Sequence, residues 1–285
     1  LSREEFLKHS WDWKEKYGGI IIQQLKKLGC SCDWEREKFT MDDRYSNAVL
    51  EAFVRLHKKG LVYRGYRLVN WCPASQSAIS DEEVNHREVQ GSLWTIKYSL
   101  KDKSGTIEVA TTRPETMLGD TAVAVHPQDD RYRKYIGQKI ELPLTGRIIP
   151  IVGDKFVDPD FGTGCVKVTP AHDPNDFEIG KRHGLDFINI MNPDASLNDN
   201  VPEQFKGLTR ENARKQVIEK LKSFKLISNE KSYTHSVGFS ERGGVPIEYY
   251  LSEQWYLKMK ALAEPAIKAV KDGDIKFHPP HWVKT

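Results

Sequence analysis

The spacing of apolar residues changes along the chain, from a helical period near the N-terminus to short β-rich runs in the middle. Between Asp42 and Lys59, Tyr45, Val49, Phe53, Val54 and Leu56 recur at helical spacing. Asp42 and Asp43 suit the positive end of a helix and Gly60 its terminus, so a helix is expected there. Ser2 and Glu5 have capping-box spacing ahead of Phe6, Trp11, Trp13 and Tyr17, which predicts one or two opening helices. From Leu61 to Trp71 the pattern is extended, broken by Gly65, and Cys72-Pro73 begins a loop.

The period then shortens. Leu93–Leu100, Thr106–Thr112, Thr121–Val125, Ile148–Val152 and Cys165–Thr169 are short runs enriched in β-branched residues and separated by turn formers. Only two helices interrupt them, about Asn175–His183 and about Thr209–Phe224, the latter with Ala213, Val217, Leu221 and Phe224 on one face. Strands in succession, without regular strand–helix alternation, predict an α+β chain: a compact β-barrel-like core with peripheral helices and flanking helical and extended connections. From about Lys231 extended pieces lead to a helix near Tyr256–Lys271. The expected organisation is an N-terminal helical and connecting segment (1–90), a core (91–230) and a return segment (231–285). No internal repeat is evident.

Composition narrows the class. The 285 residues, 39% hydrophobic and 29% charged, suit about two soluble domains. No window approaches the roughly 18 uninterrupted apolar residues of a membrane span. The net charge of +3 is too small to announce a nucleic-acid binder, so any basic face must be local. One such face is predicted from Phe205 to Lys225, where Lys206, Arg210, Arg214, Lys215, Lys220, Lys222 and Lys225 stand against only Glu211 and Glu219. A solvated surface is its bland reading. Four cysteines in a chain this long indicate a reducing compartment, here taken as the cytoplasm. Leu1 in place of Met suggests a piece of a longer protein.

Two segments carry candidate chemistry. In Ala110-Thr111-Thr112-Arg113-Pro114-Glu115-Thr116-Met117-Leu118-Gly119-Asp120 a strand runs into hydroxyls and a guanidinium, groups that position water or hold an anion. The same residues also make a capped turn. In Phe161–Asp176, Lys167 and Thr169 share one strand face, and the loop beyond brings His172, Asp173 and Asp176 toward it. Groups of both signs at the end of an apolar strand cost desolvation unless used. The alternative is that Asp173 or Asn175 simply caps the next helix. His172, Asp173 and Asp176 lack a fourth metal ligand at recognisable spacing, Cys30 and Cys32 are one residue apart, and Cys165 reads as buried filler, so no metal or other cofactor is expected.

With both motifs in order, ATTRPETMLGD at 110–120 and FGTGCVKVTPAHDPNDFEIGKRHGL at 161–185, the chain resembles the editing domain inserted into class I aminoacyl-tRNA synthetases, in its valyl branch, over nearly its whole length. The leucyl branch shares the Thr-Thr-Arg-Pro start but usually lacks the Val-Lys-Val-Thr-Pro and Asp-Pro-Asn-Asp combination. Neither activating-site signature, His-x-Gly-His or Lys-Met-Ser-Lys-Ser, occurs here, so the resemblance implies correction without charging. The implied reaction is hydrolysis of Thr from the 3′ end of mischarged tRNA(Val), with the rest of the parent synthetase as a further partner and no membrane. The implied catalytic residues are Asp176, Thr111 and Thr112. The implied substrate-binding set is Arg113, Phe161, Lys167, Thr169, Asp173 and Asp176: Asp176 on the α-ammonium, Lys167, Thr169 and Asp173 on the Thr hydroxyl, Arg113 and Phe161 on the terminal adenosine. At 71–75 and 239–243, where some relatives carry paired zinc-binding cysteines, only Cys72 remains. A leucyl-type editing domain and a noncatalytic tRNA-binding module built on the basic helix are the alternatives.

Overall fold

The computed structural model describes residues 1–284. In chain order, α1 (Arg3–Tyr17), α2 (Ile20–Lys27) and α3 (Asp43–Lys58) precede β1 (Val62–Cys72) and β2 (Ser77–Ala78). Then come β3 (Val84–Leu100), β4 (Thr106–Thr111), β5 (Ala122–Val125), β6 (Lys139–Glu141), β7 (Ile148–Gly153) and β8 (Cys165–Val168). The chain closes with α4 (Pro174–His183), α5 (Arg210–Ser223), β9 (Ile227–Ser240), β10 (Glu248–Leu257) and α6 (Lys260–Lys271). These fall into two compact units, one of Leu1–Tyr63 with the chain from Leu257 onward, the other Arg64–Tyr256.

The first unit is helical, and its caps are those the sequence encodes. Ser2 Oγ accepts from the Glu5 amide at 3.2 Å while Glu5 returns a carboxylate to the Ser2 amide at 2.7 Å. Asp42 caps α3 through the Tyr45 amide at 2.8 Å. None of α1, α2, α3 or α6 buries a residue. No helix among the described residues is long and apolar enough to cross a membrane.

The second unit carries two sheets: β10-β1-β2, and a seven-stranded sheet ordered β4-β3-β6-β7-β5-β8 with β9 also paired to β3. β3 has two halves. From Val84 to Ile96 it pairs with β9, and from Trp94 to Ser99 with β4. Only the later half alternates into the core, through Trp94, Ile96, Tyr98 and Leu100. β5 is buried on both faces, which accounts for its unbroken Ala-Val-Ala-Val. Val123 and Val125 join the main core with Ile107, Val109, Ile149 and Ile151, and Ala122 and Ala124 pack against Val168, Val157 and Ile179. Ala213, Val217 and Leu221 of α5 close that main core. Phe224, expected on the same face, lies beyond the helix at its C-cap and is exposed.

The α+β class holds, but a barrel is not formed: among the described residues β4 and β8 remain the unpaired ends of an open path. Ala110 and Thr111 of β4 and Val166 and Lys167 of β8, strands that lie near each other, line a cavity.

Candidate functional site

The first motif builds one wall of that cavity. β4 ends at Thr111, whose Oγ1 accepts from the Arg113 amide at 3.0 Å. Pro114 then opens a fully buried 3-10 turn, Pro114–Gly119. A Cβ at Gly119 would meet Ile190 Cγ2 at 3.0 Å and the Ile188 carbonyl at 3.1 Å, so the turn packs closely against that backbone and a side chain there would have to displace it. Capped turn and candidate site are thus the same object. The second motif supplies the facing wall. Asp173 caps α4, its Oδ1 accepting from the Asn175 and Asp176 amides at 2.8 and 3.1 Å. This fixes Asp176 on the first turn, where its Oδ2 accepts from the Thr169 amide at 2.8 Å.

The cavity measures about 320 Å³. Thr111, Thr112, Arg113, Phe161, Lys167, Thr169, Asp173 and Asp176 all line it. Beneath them is a floor of hydrogen bonds centred on Asp120, which has no solvent exposure. Tyr98 Oη donates to one of its oxygens at 2.7 Å, and Thr169 Oγ1 to the other at 2.6 Å. Lys167 Nζ donates to Thr169 Oγ1 at 2.6 Å and Thr116 Oγ1 at 2.8 Å and stands 3.4 Å from Asp120. All three ammonium protons therefore have protein acceptors. Phe161 is exposed at the edge of the cavity.

Burial, and then the neighbouring Asp173, push the Asp176 carboxyl up to about 7, against the pull of Lys167 and the Thr169 amide. Burial also raises Asp120, with Lys167 and its hydroxyl donors opposing. His172 is pushed down to about 3 by burial and by the charges of Arg113 and Lys167. Its Nε2 accepts the Ile190 amide at 3.0 Å, so that lone pair is already engaged. The Cys165 thiol is raised to about 12 by burial, far from a usable thiolate.

Arg113 is anchored from outside the cavity. It bonds Glu248 on β10 and reaches Glu115 at 3.3 Å. Arg214 grips Glu115 with two bonds of 2.8 Å, and Arg210 bonds Glu248 at 2.7 Å. The basic run expected over Phe205–Lys225 does not form a single face: Arg210 and Arg214 turn inward onto buried carboxylates. Among the basic residues of that helix and its flanks, Lys215, Lys220, Lys222 and Lys225 are exposed, Lys222 within 2.8 Å of Glu230.

A family model described as tRNA synthetases class I (I, L, M and V) matches residues 1–285. The chain belongs to the class I tRNA synthetase family. Valine--tRNA ligases of Thermosynechococcus vestitus, Prochlorococcus marinus and Carboxydothermus hydrogenoformans are 58%, 56% and 54% identical to it over 100% of its length. It spans under a third of each relative, 31%, 31% and 32%.

Several lining residues of this synthetase chain were missed by motif reading. Tyr233 and His235, stacked at 5.9 Å, reach the cavity from β9, far along the sequence from either motif. Asp120 and Thr116 sat inside the first motif without an assigned role, and Tyr98 reads in sequence as an ordinary core aromatic. Cys72 is buried beside Ser75 and Ser240, whose hydrogen bonds hold its thiol low against burial. A Cβ on Gly243 would come within 2.9 Å of its sulfur.

Proposed function

We propose that the Arg64–Tyr256 unit is an editing site that hydrolyses the ester joining Thr to the 3′ end of tRNA(Val). The observation that carries this reading is the convergence of both motifs on one cavity with the buried Asp176 carboxylate in its wall. A carboxylate costs free energy to ionise there, and a ligand's α-ammonium offsets that cost. Val and Thr are nearly isosteric, the standing example of a pair that an apolar activating pocket separates only modestly. A second pocket that hydrogen-bonds the hydroxyl succeeds because Val leaves its polar groups unpaired, at about 1–3 kcal/mol per group.

In the chemical step a water attacks the ester carbonyl, the acyl–oxygen bond breaks, and Thr leaves from the ribose oxygen of the terminal adenosine. No side chain is placed as a covalent nucleophile: Cys165 is held as a thiol, and His172 is neutral with Nε2 occupied. Thr111 and Thr112 orient water at the rim, and Asp176 holds the substrate so that the water meets the face of the ester carbonyl. Arg113 and Phe161 hold the adenosine end. On this reading the chain works together with the further length that its relatives have. The exposed Trp11, Trp13, Ile21, Val49 and Leu50 of the helical unit support a docking role toward that remainder.

The reading is tested with non-hydrolysable threonyl-amide adenosine. Asp176→Ala should weaken binding at least about tenfold, the loss of one charge-assisted hydrogen bond. A matched analogue lacking the amine should bind parent and variant alike. Equal affinity of both proteins for the amine-bearing analogue would remove Asp176 from the site.

A further inference from the structure

Asp120 does more for the cavity than fill its floor. Lys167 has no acceptor capacity and a carboxylate has no donor, so the chain Lys167–Thr169–Asp120 admits one arrangement of protons. Lys167 donates into Thr169 Oγ1 at 2.6 Å, and the Thr169 hydroxyl proton goes to Asp120 at 2.6 Å. Three donors, from Tyr98, Thr169 and Lys167, converge on the two Asp120 oxygens, a set that the ionised carboxyl accepts in full; on the oxygen that faces Thr169 the carboxyl is an acceptor. What Thr169 has left for a ligand is a lone pair. Lys167 has nothing left, since Thr116 takes its remaining proton at 2.8 Å. Asp173 and Asp176, on the same cavity, also offer only acceptors when ionised.

We propose that Asp120 is a positioning residue that sets the hydrogen-bond polarity of the cavity floor, making Thr169 an acceptor that selects acyl groups bearing a side-chain donor. This rests on the editing reading and deepens it. The Thr hydroxyl is recognised through the proton it gives, not through its oxygen. Lys167 contributes by holding Thr169, not by touching the substrate side chain. A group that matches the hydroxyl in size and accepts but does not donate is rejected along with Val.

Three ligands decide it on the unaltered 285-residue chain: 3′-amide adenosines carrying Thr, Val, and 2-amino-3-fluorobutanoate, in which fluorine replaces the hydroxyl. The expected order is Thr tightest, with the fluoro analogue no better than about threefold from Val. A fluoro analogue binding as well as Thr would overturn the proposal while leaving the editing reading standing. No detectable binding of any of the three would overturn both. Asp120→Asn supplies the second arm, because the carboxamide can donate to Thr169 and turn that hydroxyl's proton toward the ligand. The Thr-to-fluoro preference should then fall at least about tenfold in a folded variant, and the Asn change should have no effect on that preference in a Thr169→Ala background. A preference that Asp120→Asn leaves untouched would contradict the assignment, as would an equal loss of affinity for all three ligands.

Discussion

Asp176 combines burial with a nearby like charge, and the sign of its effect on stability follows from that. Its folded-state value of about 7 lies above the roughly 3.9 of a free Asp, so between those values the unfolded chain binds fewer protons. Stability should fall as pH rises from about 4 to about 7, by at most about 4 kcal/mol. Asp176→Asn removes the titration while keeping an acceptor for the Thr169 amide. Thermal unfolding of the two proteins should give a midpoint difference that grows in the variant's favour across that window and is level above it; a pH-independent difference would mean an unperturbed carboxylate. Ligand binding runs the other way. Affinity for the threonyl analogue should rise through about pH 7 as Asp176 ionises, then decline as the ligand's amine, near 7.7–8.0 for an α-amino group, loses its proton. At this scale Lys167 and Thr169 were legible, because period-two alternation puts them on one face. Asp120 and Tyr98 were not, since they lie 22 residues apart and their meeting depends on β3 packing against the turn that follows β4, which no local spacing encodes.

Charge counting along α5 found the sign of the helix but not where its charges go. Arg210 and Arg214 are one helical turn apart on the inner side, where they neutralise Glu248 and Glu115. Their role is to fix the 3-10 turn that presents Arg113 and Thr116. Arg214→Ala leaves Glu115 buried with only the 3.3 Å contact to Arg113, and should cost on the order of 3–5 kcal/mol in chemical denaturation. Adding Glu115→Gln should recover part of that loss; no recovery would point to lost packing instead. Replacing Lys215, Lys220 and Lys225 by Glu should leave stability within about 0.5 kcal/mol per site. If the helix meets a phosphate backbone, the same triple variant lowers tRNA affinity and flattens its salt dependence. Helix caps were readable from Ser2, Glu5 and Asp42 because they are local. The first half of β3 was not, because its exposed residues lack alternation and its partner β9 lies about 140 residues away in sequence.

For the whole chain, the sheet brings the two motifs together without its strand pairing closing a barrel among the described residues. β4 and β8 both line the cavity that the two motifs share, and β5, buried on both faces, holds the motifs in register: Ala122 pairs with Val168 and Val123 with Lys167. The α+β class and the order of the motifs were legible from composition and period; the open edge was not, because strand count does not reveal which strands stay unpaired. The central claim is that this cavity hydrolyses a Thr ester and spares a Val ester. Its most direct measurement is single-turnover deacylation of Thr-tRNA(Val) and Val-tRNA(Val) with the chain in excess. The account predicts that Thr is released at least about a hundredfold faster than Val, the effect of one or two unsatisfied buried acceptors, and that Asp176→Ala slows release of both, since both carry the α-ammonium. Equal release of both amino acids, or release of Thr at the rate seen without protein, would contradict it.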